Sequence, residues 1–313
     1  MLAVAFIAQA AGLDTLRDVT SRLDPSWLAV CAGGQLLGLV GYVLALRNVA
    51  RLENGPVIGF RSSARTVVAG FGVYHASHPS GGFGVDYLAL RRAGLDREGA
   101  IARVACLGAL EWAVLAPAAF ASALAVLAGS GQVQAAMTWP WLAVVPGFAL
   151  ALWVSSPKRS ARLADPSKGG RLRAAVVHAV AGVVMLRALA ARPVQHLPGL
   201  VGVCLYYLGD IACLWAALKT FSVEVSTPAL VLAYATGYAA SRRSLPAGGA
   251  GVVEALMTFA LVWVGLPLAP ALAGVVFYRL FNFWLAMLPA LVVVPSMSRL
   301  RLEVFRRAQR QAA

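Results

Sequence analysis

The run Ser244-Leu245-Pro246-Ala247-Gly248-Gly249-Ala250-Gly251-Val252-Val253-Glu254 decides the fold. It sets one proline, three glycines and a carboxylate between two apolar stretches. With such flanks the run is expected inside a bilayer. Broken backbone at that depth is tolerated only where protein or a water-filled cavity covers it, and an ionisable side chain there marks a functional site. An earlier copy, His78-Pro79-Ser80-Gly81-Gly82-Phe83-Gly84-Val85-Asp86, repeats Pro-x-Gly-Gly-x-Gly followed by an acid. Two such matches imply an internal repeat. Paired Gly/Pro-interrupted apolar segments point to a binding site of the kind transporters build.

Composition supports this. The 313 residues are 60% hydrophobic and 13% charged, against about 25% charged in a soluble domain. An all-α, polytopic membrane helix bundle is expected, forming a single transmembrane domain over residues 1–313. The net charge of +14 does not argue for nucleic acid, because the basic residues gather between apolar segments. The positive-inside rule puts them there, where they also attract anionic lipid headgroups. Cys31, Cys106, Cys204 and Cys213 each lie in an apolar run without a metal-type pair, so they read as small buried side chains. The N-terminal apolar run lacks an A-x-A-like cleavage site, and no cleaved signal peptide is expected.

Loop charge sets the topology. Residues 1–12 are apolar but shorter than the roughly 20 residues of a full span. Asp14 to Asp24 reads as an external interfacial helix, and Asp24-Pro25-Ser26 as the start of the next one. Residues 26–46 form a span, followed by Arg47, Arg51, Arg61 and Arg65. Residues 66–90 form a broken segment. Pro79 removes a backbone donor and disfavours helix just before it, and helix is expected to resume after Gly84. Arg91, Arg92 and Arg97 follow, so both flanks favour the cytoplasm and the segment reads as a re-entrant hairpin. Residues 100–128 and 139–155 cross next. The segment 157–197 holds eight basic residues and one acid, a cytoplasmic marker. Within it, 174–191 is apolar enough to span, but Arg173, Arg187 and Arg192 favour an interfacial helix that snorkels its cations. Residues 198–218 cross outward. A second hairpin, 227–266, enters from the outside, and 271–294 returns inward to an arginine-rich cytoplasmic tail. The two halves, 26–128 and 198–294, thus carry opposed re-entrant hairpins, as an inverted repeat demands. A multi-pass protein of a bacterial inner membrane is the expectation.

Seven charged residues fall in or near the hydrocarbon: Asp86, Glu111, Asp210, Arg242, Arg243, Glu254 and Arg279. Each costs roughly 2.5–3.5 kcal/mol at a helix centre, so pairing is expected. Glu254 or Asp86 fits Arg279, and Glu111 fits Arg242 or Arg243. Either these are static bolts between helices, or with Asn282 they line a polar path for a zwitterionic or mixed-charge headgroup. The break residues Pro79, Gly81, Gly82, Gly84, Pro246, Gly248, Gly249 and Gly251 allow close backbone approach and positive φ. Half-helix N-termini there favour phosphate. Small residues also pack helices tightly, which is the bland alternative. In Tyr278-Arg279-Leu280-Phe281-Asn282-Phe283-Trp284, Arg279 and Asn282 share a helical face, while Phe281 and Trp284 suit lipid or neighbouring helices. Gly82-Phe83-Gly84 lacks the strand–turn–helix setting of a dinucleotide site. His75 and His78 lack the further ligands of a zinc site. No nucleophile–base array or Walker motif stands out. No cofactor, metal or catalytic residue is expected.

The signature Leu245-Pro-x-Gly-Gly-x-Gly-x-x-Glu254, with Tyr278-Arg279 and Trp284, resembles the lysylphosphatidylglycerol synthetase transmembrane-region family over about residues 26–295. In members joined to a soluble synthase, the resembling domain is the flippase for aminoacylated phosphatidylglycerol. The present chain ends at Ala313, leaving no residues for a synthase. The resemblance therefore implies lipid translocation without aminoacyl transfer, with membrane lipids as partners. Relatives linked to hopanoid and isoprenoid-linked cargo leave the lipid open. The competing expectation is a non-transporting membrane partner of a separate lipid-modifying or glycosyl-transferring enzyme.

Overall fold

The computed structural model describes residues 8–9, 11–21, 23–72, 81–129, 135–163, 170–241 and 251–294. Pro79, Arg242, Arg243, Pro246, Gly248, Gly249, both histidines before Pro79 and the arginine-rich tail lie outside them. Among the described residues the chain is all-α with no strand. In order the helices are α1 (Leu13–Ser21), α2 (Trp27–Ala50), α3 (Phe60–Phe71), α4 (Gly81–Arg92), α5 (Arg97–Ala128), α6 (Ala135–Leu142), α7 (Val144–Val154), α8 (Pro157–Leu163), α9 (Arg171–Ala190), α10 (Leu197–Lys219), α11 (Thr227–Ser241), α12 (Val252–Trp263), α13 (Leu268–Arg279) and α14 (Leu285–Val293). A π-helical turn, Leu280–Trp284, joins the last two.

The centre is the antiparallel pair α2–α10, built on glycine. A Cβ on Gly41 would stand 2.4 Å from the Gly202 carbonyl oxygen, and one on Gly209 would stand 2.2 Å from that of Gly34. The backbones therefore touch. Lipid supplies no hydrophobic drive between apolar helices, so close packing of small residues takes its place. The pair is pinned at one end by the Asp24 N–H, which donates to the Thr220 carbonyl at 2.9 Å. Asp24 also accepts from the Ser26 N–H at 3.0 Å, which holds its carboxyl below the usual range. At the other end, Arg103 of α5 is buried and donates to the carbonyls of Ala50 and Leu52. It seals the last carbonyls of α2, which helix geometry leaves without partners.

Two pairs of short helices flank this centre. α3 and α4 pack together where Gly70 meets Gly82. Their outer ends, at Phe60 and Arg92, lie with the arginine-rich loops. α11 and α12 pack together where Gly237 meets Met257. Their outer ends, 221–226 and 264–267, wall one cavity of about 460 Å³ at the opposite end of the bundle, with Val19 of α1 as a further wall. At 1.5 Å per residue these four helices reach roughly 18–22 Å, short of the roughly 30 Å of hydrocarbon.

Three expectations need correction. α3 starts at Phe60, so Arg61 and Arg65 lie on the arm itself. Helix resumes at Gly81 and not after Gly84, so Gly81, Gly82 and Gly84 form the first turn of α4 instead of breaking it. First-turn N–H groups have no intrahelical partner in any case, and the bare Gly82 admits Gly70. Cys204 is exposed while the other three cysteines are buried.

Among the described residues, six helices are long and apolar enough to cross a membrane: Trp27–Ala50, Arg97–Ala128, Met137–Val154, Arg173–Ala190, Leu197–Lys219 and Leu268–Val293. The chain is a multi-pass membrane protein. Arg173–Ala190 differs from the other five in its contacts. His178 meets Glu98 at 3.1 Å in the first turn of α5, Gly182 abuts Ala105, and Arg187 reaches the Leu152 carbonyl at 3.4 Å near the end of α7. α10 then begins beside Asn48, where Gly199 abuts it. The contacts of His178, Gly182 and Arg187 tie α9 to α5 and α7.

Replacing Gly41 with alanine is expected to cost about 1–3 kcal/mol through overpacking. The same change at Gly33, which has no neighbour within 4 Å of an added Cβ, should be neutral. Thermal unfolding of both variants in detergent checks this.

Candidate functional site

The chain's glycine motif ends at a helix start. Gly251, with φ +90°, caps α12 in a conformation closed to most side chains. Glu254 is the third residue of that helix, and its Oε2 accepts the Gly251 N–H at 2.6 Å. The Gly-x-x-Glu spacing is thus a capping arrangement that satisfies one orphan donor and sets negative charge at the helix's positive end. The other carboxylate oxygen, Oε1, accepts from Arg279 Nε at 3.0 Å, with both side chains only 6% exposed. Of the two pairings open to Arg279, the structure contains the one with Glu254.

From Arg279 the network continues. Its guanidinium lies over the Phe283 ring at 4.4 Å and donates to Asn282 Oδ1 at 3.4 Å. Asn282 Nδ2 donates to Asp210 Oδ1 at 2.7 Å, and Gln35 Nε2 donates to the same oxygen at 2.9 Å. Asp210 Oδ2 accepts from Tyr234 at 2.6 Å and Tyr278 at 2.9 Å. Five elements (α2, α10, α11, α13 and the π turn) thus converge on one carboxylate, with α12 joined through Arg279. The π turn follows Arg279 directly and carries Asn282. Such turns recur at functional sites.

A second carboxylate lies across the bundle. Asp86 of α4 is buried and accepts from Tyr42 at 2.8 Å. Tyr42 stacks edge-on against Phe71 and Tyr206, at 5.0 and 5.6 Å between centroids. Tyr206 and Tyr207 bring their hydroxyls to that of Tyr238, at 3.5 and 3.2 Å. The Tyr238 ring lies 5.4 Å from Tyr234. A seam of tyrosines therefore joins the Asp86 region to Asp210. Glu111 of α5 is also buried, and its proposed partners Arg242 and Arg243 lie outside the described residues. Phe281 packs on Phe277, and Trp284 is exposed.

Sequence patterns did not mark the donors Gln35, Tyr42 and Tyr234 or the tyrosine seam, and they marked Tyr278 only as a motif residue and not as a donor to Asp210. A signal was present. Six of the eight tyrosines, at 42, 206, 207, 234, 238 and 278, fall within apolar helices, and a buried tyrosine hydroxyl requires a partner.

The family model for the lysylphosphatidylglycerol synthase TM region matches residues 1–290. The protein belongs to that family. No curated protein matches the chain. In this lysylphosphatidylglycerol synthase TM-region member, the described residues of the 244–254 and 278–284 stretches form the helix cap, ion pair and π turn described above. Its Gly251, Glu254, Tyr278 and Arg279 each make a specific contact in the network.

Removing one member of a buried pair strands the other, at about 3–5 kcal/mol. Arg279→Met is expected to lower stability by that order. Adding Glu254→Gln to it should cost less than the sum of the two single changes. A double-mutant cycle on thermal unfolding measures the coupling, and strict additivity would show that the pair contributes nothing.

Proposed function

We propose that this protein carries a lipid with a polar headgroup across a bacterial cytoplasmic membrane, the acyl chains remaining in lipid. In this reading α3–α4 and α11–α12 are re-entrant arms of an inverted repeat, entering from the cytoplasmic and external faces. The positive-inside rule places the arginine-rich end in the cytoplasm. The path between the arms is lined by Asp86, Glu111, Asp210, Arg242, Arg243, Glu254, Arg279 and Asn282. The breaks around Pro79 and Pro246 let the arms shift.

The Glu254–Arg279 pair carries this reading. Two opposite charges, 3.0 Å apart and buried, stand at the inner end of a helix too short to cross. A headgroup with an amine and a phosphate matches them charge for charge. Its ammonium replaces Arg279 on Glu254, and its phosphate replaces Glu254 on Arg279, with the bidentate geometry guanidinium favours. The exchange swaps one buried pair for two, so no charge is stranded at any stage. An amine-bearing phospholipid such as an aminoacylated phosphatidylglycerol fits, and family membership makes a lipid role natural. Translocation runs passively or on membrane potential, worth about 2.3 kcal/mol per charge per 100 mV.

Reconstitution into liposomes with headgroup-labelled lipids tests this. Wild type should transfer label between leaflets, and folded Glu254→Gln should be at least about tenfold slower, the equivalent of one charge-assisted hydrogen bond. Equal rates in protein-free, variant and wild-type vesicles across a broad lipid panel would exclude flipping. A non-transporting anchor for a separate lipid-modifying enzyme would instead keep its function after charge neutralisation at Glu254 or Arg279.

A further inference from the structure

Asp210 differs from Glu254 in the donors that hold it. Glu254 is neutralised by a cation, whereas the four donors on Asp210, from Gln35, Asn282, Tyr234 and Tyr278, are all uncharged side chains. The carboxylate is 3% exposed, at the middle of a 23-residue span. A static bolt between helices has no use for an ionised group here, since a charge away from water is costly unless its bonds are complete. Its position is sustained only while all four donors stay in place. Those donors come from different elements of the chain. Gln35 comes from α2, which touches α10 backbone to backbone, while Tyr234 comes from the short arm α11 and Asn282 from the π turn.

From this arrangement we infer that Asp210 is a proton-binding site, and that it exchanges its hydrogen bond from Tyr234 for a proton when α11 moves. The inference rests on the flippase reading for its purpose, since the arm that moves is the one proposed to admit the headgroup. As α11 shifts, the Tyr234 O–H···Oδ2 bond breaks. A proton from water entering along the arm bonds to Oδ2, and Asp210 becomes neutral. The return stroke restores the Tyr234 bond and passes the proton along the tyrosine hydroxyls toward Tyr42 and Asp86, so that it leaves on the side opposite to its entry. Each cycle thereby couples one proton to one arm movement, which makes the carrier responsive to a proton gradient.

The surroundings suit a proton. Among the described residues, the titratable and charged groups near Asp210 are Tyr234 on α11, Tyr278 and Arg279 on α13, Glu254 on α12 behind Arg279, and Tyr206, Tyr207 and Cys213 on α10 itself. Cys31 of α2 backs Cys213, its thiol 3.6 Å from the Cys213 carbonyl, and Glu111 is buried on neighbouring α5. The tyrosine hydroxyls around Tyr238 continue toward Tyr42 and Asp86, so a second acid lies at the far end of a seam of groups that both donate and accept.

Two readouts test the site, both on the full chain in phosphatidylglycerol vesicles. The first needs no cargo. Infrared spectra recorded as the pH is lowered should show a protonated-carboxyl stretch that Asp210→Asn lacks. At a fixed pH, Tyr234→Phe should raise its protonated fraction about tenfold, the loss of one bond to a charged acceptor. If Asp210→Asn fails to fold, Tyr234→Phe decides alone. A spectrum unchanged by either substitution overturns the inference, whatever the cargo. The second readout follows headgroup-labelled phosphatidylethanolamine with a pH indicator in the lumen. Wild type should move protons in step with lipid and change rate about tenfold with an imposed gradient, and Asp210→Asn should lose that response. Lipid transfer that ignores the gradient overturns proton coupling and leaves the flippase standing. No transfer at all, with the infrared band present, removes the flippase and leaves the proton site.

Discussion

The ion pair between Glu254 and Arg279 governs the rest of the site. Neither group is tolerable alone at that depth, and each is built in by a separate device. Glu254 is fixed by the cap of α12, which needs glycine at 251 and an acid three residues on. Arg279 ends α13, just before a turn of wider pitch that brings Asn282 against it and onward to Asp210. The Arg279–Asn282 contact and the Asp210 donors then supply partners to polar atoms that are buried with the pair. The network is therefore a single electrostatic unit assembled from helices distant in sequence.

Much of the architecture was legible in the sequence because the bilayer enforces simple rules. Apolar runs of the right length gave the spans, and arginine clusters gave the common end of α3 and α4. The motif at 244–254 marked Glu254, and spacing set Arg279 beside Asn282. What escaped has physical causes. The start of α4 falls four residues earlier than expected because glycine reads as a breaker, whereas in a first turn it costs little and here admits another backbone. The α2–α10 contact was invisible because glycines spaced along two distant spans carry no mark of which helix they face. The tyrosines sit inside apolar runs that carry no mark of a hydroxyl's partner, although each buried hydroxyl must be paired. The choice between Glu254 and Asp86 for Arg279 required distances, which no spacing supplies.

Length and hydropathy rank Arg173–Ala190 with the spans, while Arg173, Arg187 and Arg192 are the cations an interfacial helix would snorkel. Its contacts at His178, Gly182 and Arg187 join it to α5 and α7, as a helix of either kind can be joined.

The glycine seam between α2 and α10 bears on how this molecule could ever change shape. Where two main chains touch, neither helix can slide or roll without a carbonyl colliding with its neighbour, so the pair acts as a keel. Any adjustment would then fall to parts joined through side chains, such as the two short helix pairs and the wide turn at Leu280–Trp284. A membrane protein that fixes its middle by omitting side chains confines whatever change of shape it makes to its limbs.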